Sequence, residues 1–132
     1  MPLNATLPAL DRWRTAPSID TLRSLYDASA DQWHDNLSSL CQLHDYQLLF
    51  ENPVVGDRLH HLDQTSHILD CGVGTGAFSL ALLDNIDQPA HVAGVDISYP
   101  MLTRAQQNLE HRCPTLDLRR GDIRRLPFAD AS

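Results

Sequence analysis

The stretch that most constrains this chain is Asp70-Cys71-Gly72-Val73-Gly74-Thr75-Gly76, which lies between an apolar run of strand length and one of helix length. Three alternate glycines permit backbone conformations closed to other residues, and they leave no side chain between the main chain and a ligand. A helix starting directly after them offers unpaired N–H groups and the positive end of its dipole, which suits an anionic group. Taken alone, the loop also fits a plain tight turn. Its meaning depends on what flanks it.

On either side, His67-Ile68-Leu69-Asp70-Cys71 and His91-Val92-Ala93-Gly94-Val95-Asp96 each fit a buried strand. Gly76 to Ile86 holds Phe78, Leu80, Ala81, Leu82 and Leu83 in a segment of helix length. After Asp96, Ser98 suits the N-cap of a helix with Pro100 in its first turn and Met101, Leu102, Ala105 and Leu109 on its apolar face. A third strand is expected at Leu116 to Arg120. The alternation of strand and helix predicts an α/β fold whose parallel sheet is joined by right-handed crossovers.

Upstream, Pro2, Pro8 and Pro17 predict an irregular or short-helical lead-in. Leu22, Tyr26, Trp33, Leu37, Leu40, His44 and Leu48 then recur at helical spacing. This predicts two helices, broken near Asn36 to Ser39 and ending before Asn52-Pro53, with a short third helix from about Val55 to Leu62.

Asp96 ends the second strand, twenty residues after Gly76. Ligands of open α/β sheets bind outside the carboxyl ends of the strands, so Asp96 would face the same crevice as the glycine loop and could accept two hydrogen bonds from a ribose diol. An aspartate that merely caps the next helix is the alternative, and Ser98 is the better cap. Gly121-Asp122-Ile123 ends the third strand on the same edge. Asp122 could accept from the exocyclic amine of an adenine, with Ile97, Met101 and Ile123 offering apolar surface to its ring; alone it would be a turn residue.

Composition narrows the partners. Seventeen acidic residues against ten basic ones, all of them arginine, give a formal charge of −7, so a general footprint for nucleic acid is absent. The local exception, Arg119, Arg120, Arg124 and Arg125 around Asp122, is either a solvated rim or a contact for an acidic partner or substrate. Cys41, Cys71 and Cys113 are odd in number and form no C-x-x-C pair, which argues against a disulfide framework or zinc site and for a reducing compartment. No apolar run approaches the ~20 residues of a spanning helix. No basic and apolar leader follows Met1, and cytoplasmic residence is expected.

Three motifs in order carry a family resemblance. Ile68-Leu69-Asp70-Cys71-Gly72-Val73-Gly74-Thr75-Gly76 resembles motif I of class I S-adenosylmethionine-dependent methyltransferases. Gly94-Val95-Asp96-Ile97-Ser98-Tyr99-Pro100-Met101-Leu102 resembles their second motif and Gly121-Asp122-Ile123-Arg124-Arg125-Leu126-Pro127-Phe128 their third. The set spans about Ile68 to Ser132 and is most similar to the small-molecule branch related to ubiquinone and menaquinone biosynthesis methyltransferases. Tyr26-Asp27 and Trp33 stand where that branch often has a Tyr-Asp and a second aromatic on an N-terminal lid. The departures are Cys71, Val73 and a Pro100 one place later than usual.

The resemblance implies a Rossmann-like methyltransferase fold over residues 66–132, preceded by a helical lid over residues 1–65. It implies S-adenosyl-L-methionine as cofactor and a small-molecule methyl acceptor. Gly72, Gly74 and Gly76, with Cys71 among them, would border the methionine part, and Asp70 would organise that loop and the amino group. Asp96 would hold the ribose hydroxyls, Asp122 and Ile123 would contact the adenine, and Ile97 and Met101 would pack on its ring. Tyr26, Trp33 and His34 are the candidates for lid or substrate contacts. No catalytic base is assigned to any of the seven histidines, of which His34 and His44 are best placed to approach a substrate.

Two rivals remain. Gly72-Val73-Gly74-Thr75-Gly76-Ala77 also satisfies the G-x-G-x-x-A of nicotinamide-binding domains, although Asp70, Gly76 and the third-strand Gly-Asp favour the methyl donor. The other is a non-catalytic cofactor-binding or interaction module. Ser132 falls where the family would continue into a fourth strand, and the family's sheet order would leave Ile68 to Cys71 as an unpaired apolar edge. The expectation is an incomplete unit that self-associates or pairs with a complementing chain.

Overall fold

A computed structural model describes residues 17–39, 42–88 and 90–130. Three helices come first: α1 (Ile19–Ser39), α2 (Gln42–Glu51) and α3 (Pro53–Leu59). Then β1 (His67–Cys71), α4 (Ala77–Leu83), β2 (His91–Asp96), α5 (Tyr99–Leu109) and β3 (Leu116–Arg120) alternate. The strands have the expected bounds.

The helical leader departs from expectation at two places. α1 runs through Asn36 to Ser39, because that stretch holds no glycine or proline and its residues are only mildly poor helix formers. Leu37, Leu40 and His44 of the apolar stripe lie outside the residues whose side chains are described. α3 ends at Leu59, short of the expected Leu62, and starts earlier than predicted because Asn52-Pro53 both ends α2 and opens α3: the Asn52 side chain accepts from Val54 N, and Pro53 occupies the first turn.

The sheet has the order β1-β2-β3, all parallel. His67 pairs with His91 and Cys71 with Val95 across the first interface; Val92 pairs with Leu116 and Asp96 with Arg120 across the second. On one face Val92, Leu116 and Leu118 pack with Val73, Leu83, Leu102, Ala105 and Leu109. Beside them Ile68 joins Phe50, Leu59, Leu82 and Tyr46, which fastens α2 and α3 to α4 and the first strand.

β1 is not the fully buried strand its composition suggested. Its residues alternate, with His67, Leu69 and Cys71 exposed and Ile68 and Asp70 half-buried. Successive side chains point to opposite faces, and β1 has a neighbour on one side only among the described residues. The apolar run is therefore real, but only half of it is used.

Candidate functional site

The glycine loop is built by main-chain bonds to β2. Gly72 N and Val73 N both donate to Val95 O, at 2.8 and 3.0 Å, and Gly76 N donates to Val73 O at 2.8 Å. Gly72, Gly74 and Gly76 all have positive φ, at 85, 53 and 80°, a region costly for residues with a Cβ. At Gly76 a Cβ would also lie 2.8 Å from Leu109 Cδ1. Turn and close packing demand glycine there independently of any ligand.

Asp96 buckles this loop to the start of α5. Its Oδ2 accepts from Gly74 N and its Oδ1 from Ser98 N, each at 2.9 Å, while Ser98 Oγ caps α5 by accepting from Met101 N at 3.3 Å. Capping by Ser98 leaves Asp96 to the crevice, and each of its oxygens retains capacity for one further donor.

Asp70 reaches its place from the helix-covered face of β1. Its Oδ2 accepts from Ser79 Oγ, in the first turn of α4, at 2.6 Å. Burial pushes the Asp70 carboxyl above its ordinary pKa, the Ser79 bond pulls it down, and the negative charge of Asp96 adds a smaller upward push. Asp122, by contrast, is gripped by Arg124: its Oδ1 accepts from Arg124 N and Nε at 2.9 and 3.0 Å, and its Oδ2 accepts from Nε and Nη2. These bonds hold the Asp122 carboxyl down at about 2.

A cavity of about 500 Å³ opens at the carboxyl ends of the strands. Gly72, Gly74, Asp96, Ile97, Met101, Asp122, Ile123 and Arg124 form one wall, and Pro17, Ile19, Leu22, Tyr26 and Trp33 form the other. The four α1 residues of that second wall lie three, four and seven apart, one stripe of a helix. Tyr26 and Trp33 meet edge to face, with centroids 5.7 Å apart, and Arg104 of α5 holds α1 in place through Asp31 at 2.7 Å.

Of the residues singled out by sequence, nine thus line one cavity. Asp70, Cys71 and Gly76 do not line it: Asp70 and Gly76 stand behind the loop, and Cys71 follows the strand alternation onto the exposed face. The His34 side chain lies outside the described residues. Sequence reasoning missed Arg124 as a partner of Asp122, Ser79 as a partner of Asp70, and Ile19 as a cavity wall. Only Arg124 had a legible sign, an aspartate two residues before it that can form a local turn. The arginine cluster is largely paired internally: Arg119 binds Asp117 and lies over the Phe128 ring at 4.4 Å, and Arg120 Nε donates to Ile97 O. Among the described residues no group of three His, Cys, Asp or Glu side chains could hold a metal, and no helix is long and apolar enough to cross a membrane.

A parallel sheet with a glycine loop after its first strand and acids at the ends of the next two defines a Rossmann-like ligand-binding unit. Comparison bears out the family resemblance: residues 68–132 match the methyltransferase domain model. Demethylmenaquinone methyltransferase of Lactiplantibacillus plantarum is 40% identical over 72 residues, covering 53% of this chain and 30% of that protein. Carboxy-S-adenosyl-L-methionine synthase of Chromohalobacter salexigens is 36% identical over 74 residues, 54% of this chain and 27% of the relative. The chain thus spans less than a third of the length of these curated relatives. In fold it is similar to magnesium protoporphyrin IX methyltransferase from Synechocystis with bound SAH, at a TM-score of 0.61 and 18% identity, over 83% of this chain and 53% of the other.

Proposed function

We propose that this chain supplies the S-adenosylmethionine-binding unit of a cytoplasmic methyltransferase that acts on a small molecule. The observation that carries the reading is the convergence of Gly72, Gly74, Asp96, Ile97, Met101, Asp122 and Ile123 on one cavity closed by α1. The residues fit an adenosyl group with an amino-acid tail. Two glycines without Cβ leave the loop backbone open to close approach, Asp96 keeps acceptor capacity for the ribose hydroxyls, and Ile97, Met101 and Ile123 offer apolar surface to adenine beside the Asp122 carboxylate. Asp70, tied to Ser79, sets the loop from behind and places negative charge near the expected amino group.

The activated methyl group comes with the cofactor, so this chain contributes binding and orientation. Residues 1–65 act as the lid and residues 66–132 as the cofactor-binding unit, with Tyr26, Trp33 and His34 on the acceptor side. Calorimetric titration with S-adenosylmethionine and S-adenosylhomocysteine tests the reading. Both should bind, and tight binding of NAD with neither of them would replace it with the nicotinamide alternative.

The open edge of β1 supports a second element of the reading: the unit works in assembly, with a second copy or a complementing chain covering Ile68 to Cys71. Beside that edge, Leu69 is 45% exposed on the strand's uncovered face, and an unpaired apolar strand edge is a template for another strand. A non-catalytic module that only binds cofactor and partner shares this support, and methyl transfer to any acceptor by the assembled protein would exclude it.

A further inference from the structure

Helix α5 touches both walls of the cavity with residues spaced along one stripe. Met101, fully buried, lines the cavity. Arg104, three residues on, reaches α1, where its Nη2 and Nε donate to Asp31 Oδ1 at 2.7 and 3.3 Å. Asn108, one turn later, donates from Nδ2 to the carbonyl oxygen of Thr75 in the glycine loop at 2.9 Å. Residues at such spacings share a helix face. An asparagine inside a helix is a poor helix former that usually bonds locally; this one bonds a residue 33 positions away. The loop also rests on the same helix, since a Cβ at Gly76 would meet Leu109 Cδ1 at 2.8 Å and Ala105 Cα at 3.4 Å.

We propose that Asn108 is a positioning residue for the cofactor loop, and that with Arg104 it fastens loop and lid helix to one strut. Ordering of the loop by cofactor and seating of α1 over the cavity then become a single event. This rests on the cofactor reading above. Neither residue lines the cavity, so any effect they have on the ligand passes through the loop or the lid, and such coupling must act on affinity in both directions.

The experiment titrates the chain with S-adenosylhomocysteine by calorimetry and follows amide hydrogen exchange in residues 19–33 and 72–77 with and without it. Asn108→Leu should weaken binding about tenfold, the scale of losing one side-chain hydrogen bond that holds the loop. Arg104→Ala should weaken it about threefold, as for an exposed ion pair. Each variant should reduce ligand-induced protection in both segments. The double variant should lose about tenfold and no more, because either break uncouples the strut.

Asn108→Asp keeps the size of the side chain and removes its donor, so it must repeat the loss if packing is not the cause. Unchanged affinity in both Asn108 variants overturns the positioning role. A double variant weakened about thirtyfold, the product of the singles, overturns the coupling. If the unsubstituted chain does not bind, the cofactor reading falls. The loop half is still decided without ligand, because Asn108→Asp must speed exchange at the Gly76 amide, and an unchanged rate there refutes it.

Discussion

The two faces of β1 belong to one five-residue strand and have opposite fates. Toward the helices, Ile68 packs with Phe50 and Leu82 while Asp70 is bonded to Ser79. On the other face His67, Leu69 and Cys71 stand exposed, and the ring of His67 stacks on that of His91 at 4.7 Å between centroids. The first face is covered mainly by the helix that follows it, since α4 comes after a five-residue loop and brings Ser79 over Asp70, and α2 adds Phe50 from the leader. The second face has no covering helix among the described residues and is bordered only by the irregular segment that carries Leu126 and Phe128. A crevice built from consecutive βα units can thus be finished by a short chain, whereas the second face of a sheet depends on elements from farther away.

The sharpest break of the finished side is at Gly76. Gly76→Ala forces a Cβ into the left-handed region and against Leu109, and together these should cost about 3 kcal/mol. Urea denaturation followed by circular dichroism should show the midpoint falling accordingly, and an unchanged midpoint would show that loop and α5 are not packed as described. Asp96→Ala comes next. It strips acceptors from Gly74 N and Ser98 N, a loss of about 2 kcal/mol in stability, and cofactor affinity should fall at least tenfold in the same calorimetric assay.

Asp70→Asn probes the same face more gently and through pH. Burial raises the Asp70 pKa in the folded chain, so between its unfolded and folded pKa values the native state binds more protons than the unfolded one. Stability contributed by the protonated form is therefore present below the unfolded pKa and is lost as pH rises through the folded pKa. Asparagine keeps an acceptor for Ser79 without the charge. The variant should gain stability relative to the unsubstituted chain on going from pH 3 to pH 7, and a gain that shrinks with pH would contradict the burial of Asp70.

Much of the finished side was legible because its determinants are local. Strand bounds at His67–Cys71, His91–Asp96 and Leu116–Arg120, the Ser98 cap and the crevice acids all follow from short-range pattern and turn chemistry. The partners that cross between elements were not legible. Ser79 is an ordinary helix residue until β1 brings Asp70 to it, and Asn108 has no spacing rule that connects it to Thr75, 33 positions earlier. The exposure of Leu69 was hidden for the opposite reason. An apolar run signals that a face can be buried, and burial itself depends on what lies alongside.

That dependence yields the smallest expected effect on the chain alone. Leu69→Lys places a charge at an edge-strand position already 45% exposed, where surface substitutions change stability by about 0.5 kcal/mol or less. Lysine on an edge strand is, however, a strong deterrent to pairing with another strand. Sedimentation velocity over a concentration series should show association of the unsubstituted chain and a monomer for Leu69→Lys, with thermal midpoints that nearly coincide. Association that survives the substitution would move the contact away from β1. A monomer in both would show that the exposed face tolerates water without a partner, and that the second face of the strand needs no covering element.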